Sequence, residues 1–155
     1  MDGELEALID QLGESAERFR RLPHSHSHQP GPPDPKTGER WDRFNVLGHM
    51  AEMLSFWPPQ LSAALGGDGT FGRAPQSSAR LDGIESGHLL SESDLRSRIE
   101  AGLAATEGFL RSLKSEDLDR RLRSTARGEM SLREAVDYYL VGHFRDHVSQ
   151  LEELA

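Results

Sequence analysis

Four stretches of the chain repeat apolar residues at three- and four-residue steps, with proline- or glycine-rich segments between them, and this pattern suits helices packed on one another. The first stretch, Gly3 to Arg21, sets Leu5, Leu8, Ile9, Leu12, Ala16 and Phe19 on one stripe. From Leu22 to Arg40 the prolines Pro23, Pro30, Pro32, Pro33 and Pro35 exclude a helix. The second helix is expected from Asp42, a suitable N-cap, to Leu65, with Pro58 and Pro59 kinking or ending it near Trp57. Gly66 to Leu90 reads as irregular and holds Phe71, Arg73 and His88. A third helix runs from Glu92 to Leu113 behind Ser91, and Ser115 to Leu118 looks like one further turn. The last helix starts at the capping box Ser131-x-x-Glu134 and continues to the C-terminus. No stretch alternates as a strand does. The expectation is an all-α four-helix bundle forming one domain over 1–155, with the connection after the third helix short enough to make the third and fourth helices antiparallel neighbours.

Charge and cysteine content narrow the function. A formal net charge of −8 disfavours nucleic acid, whose phosphates require clustered Lys and Arg. Arg18, Arg20 and Arg21 read as the polar end of the first helix. With no cysteine there is no disulfide, no Cys-based metal site and no cysteine nucleophile, so any thiol chemistry must use a sulfur carried by a small molecule. The acidic start Met-Asp-Gly-Glu-Leu-Glu lacks a secretory h-region, and no apolar run suffices for a membrane span; the expected location is cytoplasmic.

His143 and His147 lie four residues apart, one turn on one helical face. At roughly 100° per residue that face is shared with Val136, Tyr139, Leu140 and Leu151, so both imidazoles point into the interior. A buried imidazole needs hydrogen-bond partners or a metal. His49, near Val46 and Met53 by angle, faces inward from the second helix. Three imidazoles from facing helices make a ligand set for zinc or nickel first, with iron or manganese after them, and leave positions open as catalytic sites do. Glu52, about one turn from His49, is a candidate acceptor for that ring's other nitrogen, with a solvated surface acid as the equal alternative. The metalloprotease helix is a different motif: Phe144 stands where its glutamate would be, and Asp146 points away.

Gly38-Glu39-Arg40-Trp41 followed by Val46-Leu47-Gly48-His49-Met50-Ala51-Glu52, then Leu113 to Arg121, then Ser131-Leu132-Arg133-Glu134-Ala135 leading to His143-x-x-x-His147-x-x-Gln150-Leu151, resemble in order and spacing the DinB/YfiT-like superfamily of metal-binding four-helix bundles. The resemblance covers nearly the whole chain. It implies a divalent metal on His49, His143 and His147, and a homodimer. It also implies either a metal-dependent enzyme using a small-molecule thiol (mycothiol, bacillithiol or glutathione) as an S-transferase or isomerase, or a non-enzymatic metal-binding or stress-related bundle. The proline- and histidine-rich first loop and the Phe71-Gly72-Arg73 loop depart from the family pattern.

Arg73, Tyr139 and Trp57 are the candidate substrate-binding residues: Arg73 for an anionic group, Tyr139 as the inward-facing member of the Tyr138–Tyr139 pair, and Trp57 with Trp41 as walls of a cavity or as packing residues. His24, His26 and His28 alternate with serine in a loop that reads as solvated, with weak metal binding as the sharper alternative.

Overall fold

Each of the four periodic stretches is helical in the computed structural model, which describes residues 3–154; Met1 and Asp2 of the acidic start, and Ala155, lie outside the described residues. Helix α1 (Gly3–Arg20) buries Leu5, Leu8, Ile9, Leu12, Ala16 and Phe19, the stripe expected of it. Helix α2 (Arg43–Gly66) opens on Asp42, whose carboxylate accepts the Asn45 N–H while the Asn45 side chain accepts the Asp42 N–H. Strand β1 (Thr70–Phe71) and helix α3 (Ser78–Ser86) follow, then α4 (Glu92–Ser112), capped by Ser91 through the Asp94 N–H. A short 3₁₀ turn (Ser115–Asp119) leads into a hairpin of β2 (Arg121–Ser124) and β3 (Gly128–Ser131). The last helix begins on the Ser131–Glu134 capping box and has three parts: α5 (Leu132–Val136), a π-helical segment (Asp137–Val141) and α6 (Gly142–Leu154).

The structure is thus mostly helical with a small sheet. α4 packs on α2 and α1, and α6 packs on α1 and α2, around one cluster of buried side chains that includes Phe19, Leu47, Met50, Leu54, Ile99, Leu140 and Phe144. The third and fourth expected helices are therefore not close neighbours, contrary to the reading of their connection. Phe144 explains itself here: fully buried, it meets Phe19 edge-on at 6.2 Å between ring centroids.

Three further features bear on the sequence reading. First, α2 keeps its expected span and, of the two outcomes expected at Pro58 and Pro59, does not end there but passes through both to Gly66. A proline inside a helix costs about 3 kcal/mol. Leu61 and Ala64, beyond the prolines, are buried in the core, and burying a leucine returns roughly 1.5–3 kcal/mol of this. Second, Gly66–Leu90 is not wholly irregular: it holds β1 and α3. Third, strands exist. β1 pairs parallel with β2 (Phe71 opposite Ser124), and β2 pairs antiparallel with β3 (Leu122 opposite Met130). In β2 only Leu122 and Ser124 turn inward, between exposed arginines, so four residues carry too short an alternation to stand out.

Glycines seat α3 against α2. A Cβ on Gly48 would overlap the Gly83 carbonyl oxygen, and one on Gly87 would overlap the carbonyl of Phe44. Both obstructions are backbone, so no side chain can swing away to relieve them. Gly48→Ala is expected to destabilise the protein by about 1–3 kcal/mol, read as a lower urea midpoint. An unchanged midpoint would mean that α3 does not sit on α2 at this distance.

Candidate metal centre

His49 hangs from the second turn of α2, and His143 and His147 from the first two turns of α6, so the packing of α6 on α2 brings the three rings together. The π-helical segment lies just before the pair. The Gly142 N–H donates to the Asp137 carbonyl five residues back, which adds a residue to that turn and re-aims α6 relative to α5. Tyr139 and Leu140, on the expected face, stay buried, while Tyr138 is exposed.

The three Nε2 atoms converge. His143 Nε2 lies 3.1 Å from His49 Nε2 and 3.2 Å from His147 Nε2. Two nitrogens bound to one ion at about 2.0–2.1 Å stand about 3.3 Å apart in a tetrahedral site and about 2.9 Å apart at right angles, so the observed edges fit a shared cation. Hydrogen bonding among the rings satisfies them only in part. The Nδ1–H of His147 donates to Gln150 Oε1 at 2.9 Å, which leaves the His147 Nε2 lone pair facing the cluster. A single proton on His143 Nε2 can satisfy one neighbour well and not both. His49 Nδ1, buried, has no hydrogen-bond partner among the described residues.

The electrostatics agree. Burial holds His49 and His143 well below the usual histidine range, and the neighbouring imidazoles and the Arg80 and Arg73 charges push the same way. Burial lowers His147 too, against the opposing effect of its Gln150 hydrogen bond. All three are neutral at pH 7, the form a metal ion requires. Among the described residues, no Cys, Asp, Glu or further His joins the group.

The cluster opens onto a cavity of about 700 Å³. Trp41 covers one side, its ring centroid 4.9 Å from that of His49 and 5.8 Å from that of His147. It borders the site and does not simply fill the core. Trp57 and Tyr139 form another wall, their ring centroids 4.2 Å apart and their planes tilted by 35°, and the Tyr139 hydroxyl is hydrogen-bonded to Ser124 Oγ at 2.7 Å. The sheet thereby fixes the orientation of this tyrosine.

Arg73 and Glu52 line up differently from expectation. Both Nη atoms of Arg73 bind the Glu52 carboxylate, and its guanidinium lies 4.0 Å from the Phe56 ring centroid. Glu52 therefore does not serve His49, and Arg73 reaches the cavity wall with its charge already neutralised. Two cations that form no ion pair among the described residues stand elsewhere on the cavity wall, on residues to which the sequence reading assigned no role. Lys36 Nζ donates to the Tyr138 hydroxyl at 3.3 Å, and the Arg127 guanidinium stacks 3.9 Å from the Tyr138 ring centroid; both residues line the cavity. Burial alone would raise the Tyr138 phenol, but the Lys36 hydrogen bond and the Arg127 charge outweigh it and bring it below its ordinary value. Nothing in the spacing of Lys36, Arg127 and Tyr138 announces this grouping, whereas Gln150 was detectable at one turn from His147. No family model, no curated protein and no solved structure matches this chain.

The histidine environment sets the pH response of the metal-free protein. Unfolded histidine titrates near 6.5, and the folded values of all three lie lower. The folded state thus binds fewer protons: stability is complete above about pH 6.5 and falls as pH drops toward the folded values, by at most about 1.4 kcal/mol per pH unit for each ring. In chelator, the thermal midpoint is expected to fall between pH 7.5 and 5.5, and less steeply in the His49→Gln/His143→Gln variant. Equal slopes would show that these rings carry no such shift.

Proposed function

We propose that this chain is a four-helix bundle of the DinB/YfiT-like kind that binds one divalent metal ion through His49, His143 and His147 and acts as a metal-dependent enzyme on a small-molecule thiol, of the S-transferase or isomerase type. The observation that carries the reading is the convergence of three Nε2 atoms at the wall of a cavity large enough for a small molecule. The donor chemistry, three neutral imidazoles, favours zinc or nickel over calcium or magnesium. A divalent ion bound there supplies Lewis acidity and lowers the pKa of a thiol or water at its open position.

The chain's own residues supply the rest. Gln150 holds the His147 ring in the ligating tautomer. Trp41 and Trp57 provide apolar walls that exclude water and hold an electrophile by packing. Lys36 and Arg127, which pair with no carboxylate among the described residues, suit the anionic groups of a thiol cosubstrate. The absence of a fourth His, Cys, Asp or Glu beside the three histidines favours this reading over a closed structural metal, again among the described residues.

Metal content of the purified protein against His143→Ala tests the site: the wild type is expected to retain an ion at the inner cluster and the variant to lose it. Thermal shift with glutathione and related thiols then tests the substrate class. A thiol at about 100 times its Kd adds about 2.7 kcal/mol of stability, and the shift should vanish with the metal and shrink in Arg127→Ala, which leaves the ligands intact. Equal metal content in wild type and variant would overturn the site; metal loss with no thiol shift would overturn the substrate class.

A further inference from the structure

Asp42 divides its carboxylate between two tasks. Its Oδ1 accepts the Asn45 N–H at 2.9 Å as the cap of α2. Its Oδ2 turns the other way, 3.1 Å from His88 Nε2 and 3.6 Å from His28 Nδ1. One ligand atom from each of the three residues lies within 4.8 Å of the others. Asp42 is buried, with 7% of its side chain exposed, whereas the two histidines are open to solvent. His28 lies in an irregular loop, yet its ring is stacked on Phe44 with centroids 4.8 Å apart and planes at 26°, and the His88 ring is 5.8 Å away.

We infer that His28, Asp42 and His88 form a second divalent-cation site, separate from the inner one and sharing no residue with it. The edges of 3.1 and 3.6 Å bracket the separation of about 3.3 Å between tetrahedral ligands around one ion. Two imidazoles and one carboxylate suit zinc, cobalt, nickel or iron(II) and leave positions for water. The carboxylate oxygen that faces the rings is spared by the cap, so binding an ion does not undo the start of α2. Of the serine-spaced histidines in the first loop, only His28 joins this group: His24 lies 3.1 Å from the Glu92 carboxylate and His26 is not among its members. The ion would tie together three separate segments, namely the first loop, the α2 N-cap and the turn after α3.

The test is a zinc titration of the chelator-stripped full chain, with a competing indicator to count equivalents. Wild type is expected to take two. His88→Ala and Asp42→Asn should each lose one and keep the other. Asparagine caps helices as well as aspartate does, so Asp42→Asn keeps the fold while removing the charged ligand. A single equivalent in wild type that His88→Ala leaves unchanged, or a second equivalent that survives in both variants, overturns the inference. His143→Ala separates this result from the inner site: it should remove the other equivalent. If it does not, while His88→Ala still removes one, the inner-site reading fails and the outer site stands.

Discussion

Three buried imidazoles converge on one small space, an arrangement that could hold a metal ion, and the helices that carry them fix where they point. His49 is fixed by a buried stretch of α2, and His143 and His147 by the turns on either side of the fully buried Phe144. The cost of stripping water from three polar rings must be met by something that binds them. Among the described residues no acid joins the three rings, and Gln150 serves only the outer nitrogen of His147. The surrounding Leu, Met and Phe side chains hold the rings in position whether or not an ion is present, which keeps the geometry preorganised.

Around that cluster the smaller elements act as walls. The hairpin brings Ser124 to the Tyr139 hydroxyl and Arg127 to the Tyr138 ring, while Phe71 on β1 packs edge-on against Tyr139 at 5.5 Å. Helix α3 carries Arg80, which is paired with Glu39 and lies 5.7 Å from the Trp41 ring centroid. The close glycine contacts between α2 and α3 set how near Arg80 can come. Ion pairs neutralise Arg73 and Arg80, so that Lys36 and Arg127 are left to offer positive charge to the cavity although the chain as a whole is acidic.

What the sequence disclosed followed from periodicity and capping. Leu5 to Phe19, Leu95 to Leu110 and the caps Asp42, Ser91 and Ser131 are local signals, each decided within one or two turns, and each is present in the fold. The histidine convergence was legible for the same reason, since i and i+4 on an apolar face leave little freedom. The features that escaped depend on distant partners. Whether Pro58 and Pro59 kink or end a helix is not decided locally; the burial of Leu61 and Ala64 beyond them favours continuation. Glu52 is an unremarkable helical acid until Arg73 arrives from a loop. Asp42 showed its capping role in sequence but not its second oxygen's neighbours, which come from fourteen residues before it and forty-six after it.

Trp41 and Asp42 are adjacent in the chain yet face different histidine groups. Trp41 lies over His49 and His147, while Asp42 turns to His28 and His88. The peptide between them is therefore held from both sides: by ring contacts at the cavity, and by a capping carboxylate at the start of α2. Its own polar groups are also satisfied: the Trp41 carbonyl accepts the Gly31 N–H at 2.8 Å, and the Asp42 N–H donates to Asn45 Oδ1 at 3.1 Å. The segment that lines the cavity at Trp41 is thus held in place by contacts to both histidine groups.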